Sequence, residues 1–373
     1  MKNIVVLGAG LVGKAMILDL YKSYSITAVD ISMDNLSDLS DLSNITTVVM
    51  DLSVSLNIKK IVKDADLVIG AVPGFMGFEM LRTVIESGKN IVDISFCPEN
   101  PLELDKLAKA NRVTALVDCG VSPGMGNIIL GHCLNKFDIN SYKCLVGGLP
   151  QKPEKPWRYK AVFSPIDVIE EYIRPVRYRK NGETLIEDAL FKSELVRFEG
   201  VGKFEAWYTD GLRTLLNTTK ILNLVELTIR YPKTIEPIIA LRDSGFFSSE
   251  EIDVKGKKVK PIDLTTNLMF SQWKMQPNDY DMTLMRIIIE GTKDGKEHKA
   301  EYDLVDYYDT KTETTSMART TGYTCTAVAN LLLDDKYDIK GIIPPEVLGQ
   351  NETAYNYILK YLADRGVVYS KIN

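Results

Sequence analysis

The sequence predicts an α/β chain, in which a parallel-sheet nucleotide-binding domain precedes an α+β domain with a mixed sheet. A glycine-rich turn follows the first apolar run, and strand-like and helix-like segments then alternate over the first third of the chain. Strand-like runs follow one another in the later part, with helices interspersed. A length of 373 residues exceeds one ordinary hydrophobic core, so two domains are expected.

The N-terminal stretch NIVVLGAGLVGKAMILDL has the pattern of a strand, a phosphate-binding turn and a helix. The apolar run at residues 4–7 is typical of a buried parallel strand. Three glycines follow with GxGxxG spacing. The first permits a tight turn, the second lets backbone approach a pyrophosphate, and the third lets the helix pack on the strand, as in a Rossmann domain. The helix N-terminus would face the pyrophosphate. The predicted cofactor contacts in this turn are Gly8, Gly10, Leu11, Val12 and Gly13.

The second predicted strand, SITAVDIS, contains Asp30 near its end. An acidic residue about 20 positions into such a unit accepts hydrogen bonds from both ribose hydroxyls. The same carboxylate repels a 2′-phosphate. The sequence therefore predicts NAD as the cofactor, in preference to NADP. The alternative is a glycine-rich turn that binds no ligand.

Four more strands are predicted at TTVVMDLS, DLVIGAVP, KNIVDIS and VTALVDCG, with helices between them. Ligands of such parallel sheets bind beyond the carboxyl ends of the strands. This rule adds the cofactor contacts Asp51, Ala71, Val72, Pro73 and Ser95, and it places Asp93 and Asp118 on the nicotinamide side. Asp51 is positioned to meet the adenine amino group. A turn or helix N-cap role is an equal alternative for Asp51.

The remaining chain predicts a change of architecture after the sixth strand. Two alternating runs around GTKDGKEH predict a β-hairpin, TLLNTTKIL predicts a helix, and SMARTTGYTCTAVANLLLDD predicts a helix rich in small residues. PPEVLGQNETAYNYILKYLADRG predicts one further helix. Small-residue helices pack closely, so we expect the C-terminal segment to return to the first sheet. The predicted divisions are 1–120, 121–312 and 313–373.

The composition excludes several classes of protein. The net charge is -5 and no basic block occurs, which argues against nucleic acid and anionic membranes as partners. The sequence contains no run of eighteen apolar residues, so no membrane span is predicted. Five cysteines without a CxxC pair predict reduced thiols in a cytoplasmic protein, and only two histidines argue against most metal sites. No metal is predicted.

An ordered set of motifs resembles the saccharopine dehydrogenase-like family, and most closely its lysine 6-dehydrogenases. The motifs extend to about residue 349 and read GAGLVG, DISFCPENPLELDKLA, VDCGVSPGMGN, VGGLP, FSPIDVIEEYIRPVR, DGLRTLL, TIRYP, LRDSGFF, MARTTGYT and GIIPPEVLG. The resemblance implies a Rossmann domain, a mixed-sheet substrate domain and a C-terminal segment folding back. It also implies NAD(P)-dependent oxidation of a C–N bond in a lysine-related amino acid, and a homodimer.

Four residues depart from the patterns of this family. Saccharopine reductases place an acidic residue where this chain has Ser122 and a cysteine where it has Val146, so both positions argue against that activity. Lysine 6-dehydrogenases carry a glycine-histidine pair where this chain has Lys233 and Thr234. The leading hypothesis is a lysine 6-dehydrogenase type of reaction. The alternatives are a saccharopine or carboxyspermidine-type reductive coupling, and a nucleotide-binding regulator without catalysis.

The chemistry of amine oxidation nominates further residues. Hydride leaves the carbon that bears a neutral amine, whereas a free lysine ammonium has a pKa of about 10.4, so a proton acceptor is needed. Asp93 and Asp118 are candidates to hold the ammonium or accept its proton, with capping or loop hydrogen bonds as alternatives. Arg213 and Arg230 are candidates for the substrate carboxylate, with structural ion pairs as alternatives. Ser122 and Asp210 are the predicted polar contacts of the substrate.

Overall fold

The computed structural model describes residues 1–372 and begins with alternating strands and helices. Along residues 3–116 the elements are β1 (Asn3–Leu7), α1 (Leu11–Leu20), β2 (Ser25–Asp30), α2 (Met33–Leu36), β3 (Ile45–Val49), α3 (Ser55–Ile61), β4 (Leu67–Gly70), α4 (Gly74–Glu86), β5 (Ile91–Asp93), α5 (Asp105–Ala110) and β6 (Thr114–Leu116). Short 3₁₀ turns lie at Ser37–Leu39 and Pro101–Leu104. This alternation confirms the predicted Rossmann-like domain.

The middle of the chain supplies most of a second sheet. Its elements are α6 (Met125–Leu134), β7 (Asp138–Pro150), α7 (Pro165–Ile173), β8 (Val176–Lys180), β9 (Glu183–Glu187), β10 (Ser193–Phe198), β11 (Gly202–Thr209), α8 (Leu215–Thr218), β12 (Asn223–Arg230), α9 (Ile235–Asp243), β13 (Ile252–Val254), β14 (Lys257–Val259), α10 (Pro261–Trp273), β15 (Asp281–Lys293) and β16 (Lys296–Tyr307). The strands β15 and β16 form the hairpin predicted around GTKDGKEH.

The C-terminal part contains α11 (Ser316–Leu333), β17 (Gly341–Ile343), α12 (Pro345–Gly349), α13 (Glu352–Ala363) and β18 (Ser370–Lys371). The first sheet has the strand order β17-β6-β5-β4-β1-β2-β3, and all its strands are parallel. The strand order reverses between β1 and β4, which opens a crevice at their carboxyl ends. The C-terminal segment returns to this sheet, as predicted, because β17 pairs with β6.

The second sheet is mixed and strongly curled. Its strands follow the order β10-β11-β12-β7-β15-β16-β18, and β8 and β9 branch from β12. Arg286 on β15 donates to the carbonyl of Arg197 on β10 at 3.1 Å and lies over the Phe198 ring at 4.6 Å. Two strands that are four places apart therefore meet, and the face between them buries Leu227 and Leu284. The opposite face packs against α6 and α11.

Close helix contacts join the C-terminal segment to the rest of the chain. α11 packs on α1, where Gly322 lies beside Met16 and Ala15. α12 packs on α6, and a Cβ at Gly131 or Gly349 would overlap backbone of the opposing helix. The small-residue pattern of α11 thus has the packing role that the sequence predicted.

Two helix predictions needed correction. The predicted helix TLLNTTKIL is helical only over Leu215–Thr218, because the chain must extend into β12 at Asn223. The predicted final helix is interrupted at Gln350, and the Asn351 side chain accepts the Ala354 N–H to cap the second part. Within residues 1–372, no helix is long and apolar enough to cross a membrane. The five cysteines are buried free thiols.

Candidate active site

A cavity of about 940 Å³ lies between the two sheets. One end is formed by the carboxyl ends of β1, β2, β3 and β4, and we call it the dinucleotide end. The other end is formed by β7, β11, β12 and α7, and we call it the substrate end. The volume falls within the range of small-molecule and cofactor sites, about 300–1,000 Å³.

The glycine turn shapes the dinucleotide end. Gly8 has a φ of 105°, and a Cβ there would overlap the carbonyl oxygen of Ala71 on the neighbouring strand connection. A Cβ at Gly13 would overlap the Gly8 carbonyl, so the helix lies directly on the turn. A Cβ at Gly10 meets nothing within 4 Å. The first N–H groups of α1, which begins at Leu11, have no partner within the helix and suit a pyrophosphate.

Asp30 lies beside this turn at the end of β2. Its Oδ2 accepts the Ala9 N–H at 2.8 Å, and its Oδ1 accepts the Ser32 N–H at 2.8 Å and the Asn35 amide at 3.2 Å. These bonds hold the carboxylate in one orientation at the cavity wall. Oδ2, which accepts one bond, keeps lone-pair capacity for a ribose hydroxyl.

The other residues predicted to contact the cofactor also line the cavity. Asp51 accepts the Ser53 N–H at 2.8 Å and the Ser53 hydroxyl at 2.7 Å, and these bonds lower the pKa of the Asp51 carboxyl. Since Val54 caps α3, Asp51 is a turn residue and not the helix cap. The structure brings to the cavity every predicted cofactor residue: Gly8, Gly10, Leu11, Val12, Gly13, Asp30, Asp51, Ala71, Val72, Pro73 and Ser95. These residues fit a dinucleotide cofactor.

Three predicted substrate contacts lie beneath the cavity instead of on its wall. The Arg213 guanidinium pairs with Asp118 at 3.1 Å, and the two side chains are 3% and 1% exposed. Arg213 also donates to the carbonyl of Cys97. Asp93 accepts the Ser95 hydroxyl at 2.8 Å and the Ser95 N–H at 3.2 Å. None of the three lines the cavity over residues 1–372.

The structure therefore corrects the expectation that Asp93, Asp118 and Arg213 touch substrate. The strand-end rule places the backbone of Asp93 and Asp118 near the crevice, but both side chains point into the protein interior. A Cβ at Gly70 would overlap the Asp93 carboxylate, which shows how far this side chain reaches under β4. Burial raises the pKa of Asp93 to about 7, against the lowering effect of its bonds from Ser95. The alternative roles fit instead: Arg213 and Asp118 form a structural ion pair, and Asp93 accepts hydrogen bonds from the loop residue Ser95.

A carboxylate that the sequence analysis did not nominate dominates the substrate end. Glu226 lies on β12, lines the cavity and is 6% exposed. Its Oε2 accepts the Ser122 hydroxyl at 2.9 Å. A Cβ at Gly211 would overlap its Oε1, so the glycine of the DGLRTLL motif leaves room for this carboxylate. Burial raises the pKa of Glu226 to about 8, with further raising by Asp210 and partial lowering by the Ser122 hydrogen bond.

A signal for Glu226 was present in the sequence. In NLVELTIR, the polar residues Glu226, Thr228 and Arg230 occur at every second position of an otherwise apolar strand. Alternate strand residues share one face, so Arg230, which was nominated, implies Glu226. Arg230, Thr228 and Glu226 all line the cavity.

Arg230 reaches the cavity but already has partners. Its side chain is 1% exposed and pairs with Glu171 of α7 at 2.7 Å. It also stacks on the Tyr159 ring at 4.5 Å and the Trp207 ring at 5.6 Å. Its Nε is buried and has no hydrogen-bond partner among residues 1–372. Arg230 thus forms a structural ion pair, and its side chain also lines the cavity.

Asp210 and the α7 residues complete the substrate end. Asp210 receives two bonds from Arg177, at 2.8 and 2.7 Å, and lines the cavity. Arg174 pairs with Glu170 at 3.2 Å. The carboxylates lining this end are Asp167, Glu170, Glu171, Asp210 and Glu226, and the lining guanidiniums are those of Arg174 and Arg230. Arg177 balances Asp210, so the lining carboxylates without an ion-pair partner among residues 1–372 are Asp167 and Glu226, and these favour a ligand that carries positive charge.

A parallel sheet with a glycine turn, facing a mixed sheet across a shared cavity, is the architecture of a two-domain dinucleotide-dependent oxidoreductase. Residues 4–116 match the family Saccharopine dehydrogenase NADP binding domain. Residues 120–367 match the family Saccharopine dehydrogenase C-terminal domain. The chain belongs to the saccharopine dehydrogenase family.

Individual relatives support this assignment. The chain is 22% identical to alpha-aminoadipic semialdehyde synthase of Arabidopsis thaliana over 82% of its length, but it spans only 37% of that protein. It is 22% identical to the NADP(+), L-glutamate-forming saccharopine dehydrogenase of Saccharomyces cerevisiae, over 69% of this chain and 61% of that one. A structure of the apo yeast enzyme superimposes with a TM-score of 0.81 at 18% identity, covering 100% and 99% of the two chains. These matches establish family and fold, and the substrate must be argued from the site.

Proposed function

We propose that the protein is an NAD-dependent amino-acid dehydrogenase that oxidises the C–N bond of a lysine-like substrate. The products would be an aldehyde or its cyclised imine, together with ammonia and NADH. The observation that carries the proposal is that two carboxylates at the substrate end, Asp167 and Glu226, have no ion-pair partner among residues 1–372. Lysine brings two ammonium groups and one carboxylate, whereas saccharopine brings three carboxylates. The acidic wall matches the first charge pattern better.

NAD is proposed over NADP because of the groups around Asp30. The side chains lining this end over residues 30–53 include two carboxylates and no lysine or arginine: Asp30, Ile31, Ser32, Asn35, Met50, Asp51, Leu52 and Ser53. A 2′-phosphate would meet the Asp30 charge without a cation to balance it. The matched family is named for NADP and the yeast relative for NADP(+), so the kcat/KM ratio for the two cofactors is the decisive measurement.

The residues of the chain would divide the work as follows. Bound NAD supplies the hydride acceptor. The Arg230 guanidinium, which lines the cavity, offers positive charge to the substrate carboxylate. The acidic groups of Asp210 and Glu226 attract the substrate ammonium to the opposite side. Val146 and Phe163 contribute apolar wall, which reduces the access of water and strengthens these electrostatic contacts.

The test is a panel of amines offered with NAD. Lysine, ornithine and 1,5-diaminopentane would be supplied in turn, with NADH absorbance and ammonia release as readouts. We expect turnover of lysine and a large loss for the diamine, which lacks the carboxylate that Arg230 would bind. Absence of turnover with every member of the panel would reject the proposal. Binding of NAD without any turnover would support the alternative of a regulator.

A second candidate is a saccharopine or carboxyspermidine-type reductive coupling, which the names of the curated relatives favour. Saccharopine reductases have an acidic residue at the position of Ser122 and a cysteine at the position of Val146. Both differences argue against a saccharopine substrate. The two candidates separate in one assay. A coupling enzyme oxidises NAD(P)H only when an amine and an aldehyde are supplied together.

We also propose a homodimer, which rests on the family resemblance alone. Light scattering coupled to size-exclusion chromatography would measure the mass in solution. A mass near 41.8 kDa, that of one chain, would contradict it.

A further inference from the structure

We infer that Glu226, held by Ser122, is the residue that removes the proton from the substrate ammonium before hydride transfer. This inference rests on the proposed amine oxidation and deepens it, because that proposal does not require any particular base. It also replaces the aspartates at the strand ends, which lie beneath the cavity wall.

The position of Glu226 suits contact with a ligand. The side chain is almost fully buried yet lines the cavity, on the same strand face as Arg230. Ser122 holds its Oε2 at 2.9 Å. Its Oε1 occupies the space that a side chain at Gly211 would fill, and among residues 1–372 no protein group donates a hydrogen bond to Oε1. Oε1 is therefore free to accept an N–H from a ligand.

The other carboxylates of the substrate end are already engaged. Asp210 is bound by Arg177, Glu171 by Arg230, and Glu170 by Arg174. Asp167 accepts hydrogen bonds from the Ser164 hydroxyl and from the Gly74 N–H of the first domain. Proton uptake by any of these groups would break a contact that holds the cavity together. Glu226 can take a proton on Oε1 while Ser122 keeps its bond to Oε2.

The surroundings of Glu226 bring the pKa of its carboxyl close to neutral pH, where it can exchange a proton. Burial, with smaller contributions from the negative charges of Asp210 and Glu171, raises the pKa of Glu226 to about 8. A base works best when its pKa lies near the working pH. The Ser122 hydroxyl stabilises the ionised form and so limits this rise. An incoming ammonium would favour ionisation of Glu226 at the moment of binding.

The proton step is balanced within the proposed reaction. The ammonium N–H bond breaks, an O–H bond forms on Oε1, and the electron pair stays on nitrogen. That pair then drives hydride departure from the adjacent carbon, and NAD is the oxidant already named in the proposed function. The proton on Glu226 returns to solvent through the cavity before the next turnover.

The first experiment compares the pH dependence of kcat/KM for lysine oxidation. In the wild-type enzyme, kcat/KM should rise as pH passes through about 8, because Glu226 must be ionised in the free enzyme. Glu226→Gln should lose roughly 100-fold or more in kcat/KM and lack this limb. Ser122→Ala should move the limb to higher pH, since it removes the donor to the ionised form. Glu79→Gln, on the exposed face of α4, is the control and should match the wild type.

A second experiment reads the proton without turnover. Calorimetry of lysine binding at pH 7, in two buffers with different ionisation enthalpies, should show proton release by the wild type and none by Glu226→Gln. This result would also decide the question if the variant binds lysine but has no measurable rate.

The outcomes separate the two proposals. Failure of the wild type to oxidise any amine rejects the proposed function. Turnover by the wild type with the limb near pH 8 retained in Glu226→Gln overturns the inference about Glu226. A limb unmoved in Ser122→Ala overturns the role of Ser122. If Glu226→Gln does not fold, the Ser122→Ala profile and the wild-type proton release still support or overturn the assignment.

Discussion

The two ends of the cavity are built in different ways. The dinucleotide end is shaped largely by the backbone turn at Gly8 and Gly10, and its two carboxylates, Asp30 and Asp51, lie at or just after the ends of β2 and β3 within a short stretch of the chain. The substrate end is made of side chains from three strands, one helix and the turn that carries Ser122. The first end recognises groups common to every dinucleotide. The second end depends on charged side chains brought together from distant parts of the chain.

This difference shows how the protein manages buried charge. At the dinucleotide end, Asp30 is satisfied by backbone and amide N–H groups. At the substrate end, guanidiniums balance most of the acids, and Glu226 remains with a hydroxyl as its partner. An unbalanced buried carboxylate is costly unless it takes up a proton. Glu226, the carboxylate that lowers the stability of the fold, is also the residue that we propose as the catalytic base.

The largest effect is expected from the ion pair beneath both ends. Arg213→Ala leaves Asp118 buried without its cation and should lower the free energy of unfolding by about 3–5 kcal/mol. Denaturant unfolding measures this change. Arg82→Ala removes an exposed pair with Glu79 and should cost no more than about 1 kcal/mol. Full stability of Arg213→Ala, with only a raised KM for substrate, would restore Arg213 to the substrate site.

Next in size is the pH-dependent cost of Glu226. Its folded pKa of about 8 lies above its ordinary value of 4.5, so the folded state binds more protons between these pH values. Stability should therefore fall as pH rises from 4.5 towards 8 and stay reduced above it. Glu226→Gln removes this cost, which is at most about 5 kcal/mol at alkaline pH. Melting temperatures at pH 9 and pH 4 check it. Equal changes at both pH values would contradict it.

A pair of glycine substitutions should separate the two ends. Gly211→Ala places a Cβ on the Glu226 carboxylate and should lower kcat/KM for lysine roughly 100-fold, as expected for a displaced group, with NAD affinity kept. Gly10→Ala has space for its Cβ and should fold normally, but it fills the approach to the pyrophosphate and should weaken NAD binding. Steady-state kinetics with NAD titration measures both. The same defect in both variants would show that the ends are not independent.

The smallest effect is expected from the charge of Asp30. Asp30→Asn keeps an acceptor for one of the two backbone N–H groups and removes the negative charge that faces the ribose. The preference for NAD over NADP should fall by roughly 10-fold, the loss expected for a charge-assisted hydrogen bond. The ratio of kcat/KM for the two cofactors measures it. An unchanged ratio would place the choice of cofactor elsewhere in the chain.

Much of the dinucleotide end could be predicted because its signals are local. The glycines, Asp30 and the strand ends follow from spacing and alternation along a short stretch, and all of these residues line the cavity. The substrate end was predicted in part. Ser122, Asp210 and Arg230 line the cavity as expected, whereas Asp93, Asp118 and Arg213 lie beneath it. Strand ends predict where backbone lies, but the direction of a side chain depends on what packs around it.

The VDCGVSPGMGN turn shows which features follow from the sequence and which depend on the tertiary structure. Its glycines predict a backbone that bends sharply, and a Cβ at Gly124 would overlap Gly120. The sequence alone determined the parallel sheet, its cofactor turn and the return of the C-terminal segment, because each depends on local periodicity and backbone freedom. The pairing of Ser122 with Glu226, and of Arg213 with Asp118, was decided only by the tertiary structure. A buried charge is satisfied by whichever partner the packing of distant strands brings within hydrogen-bond distance, and no local pattern specifies that partner.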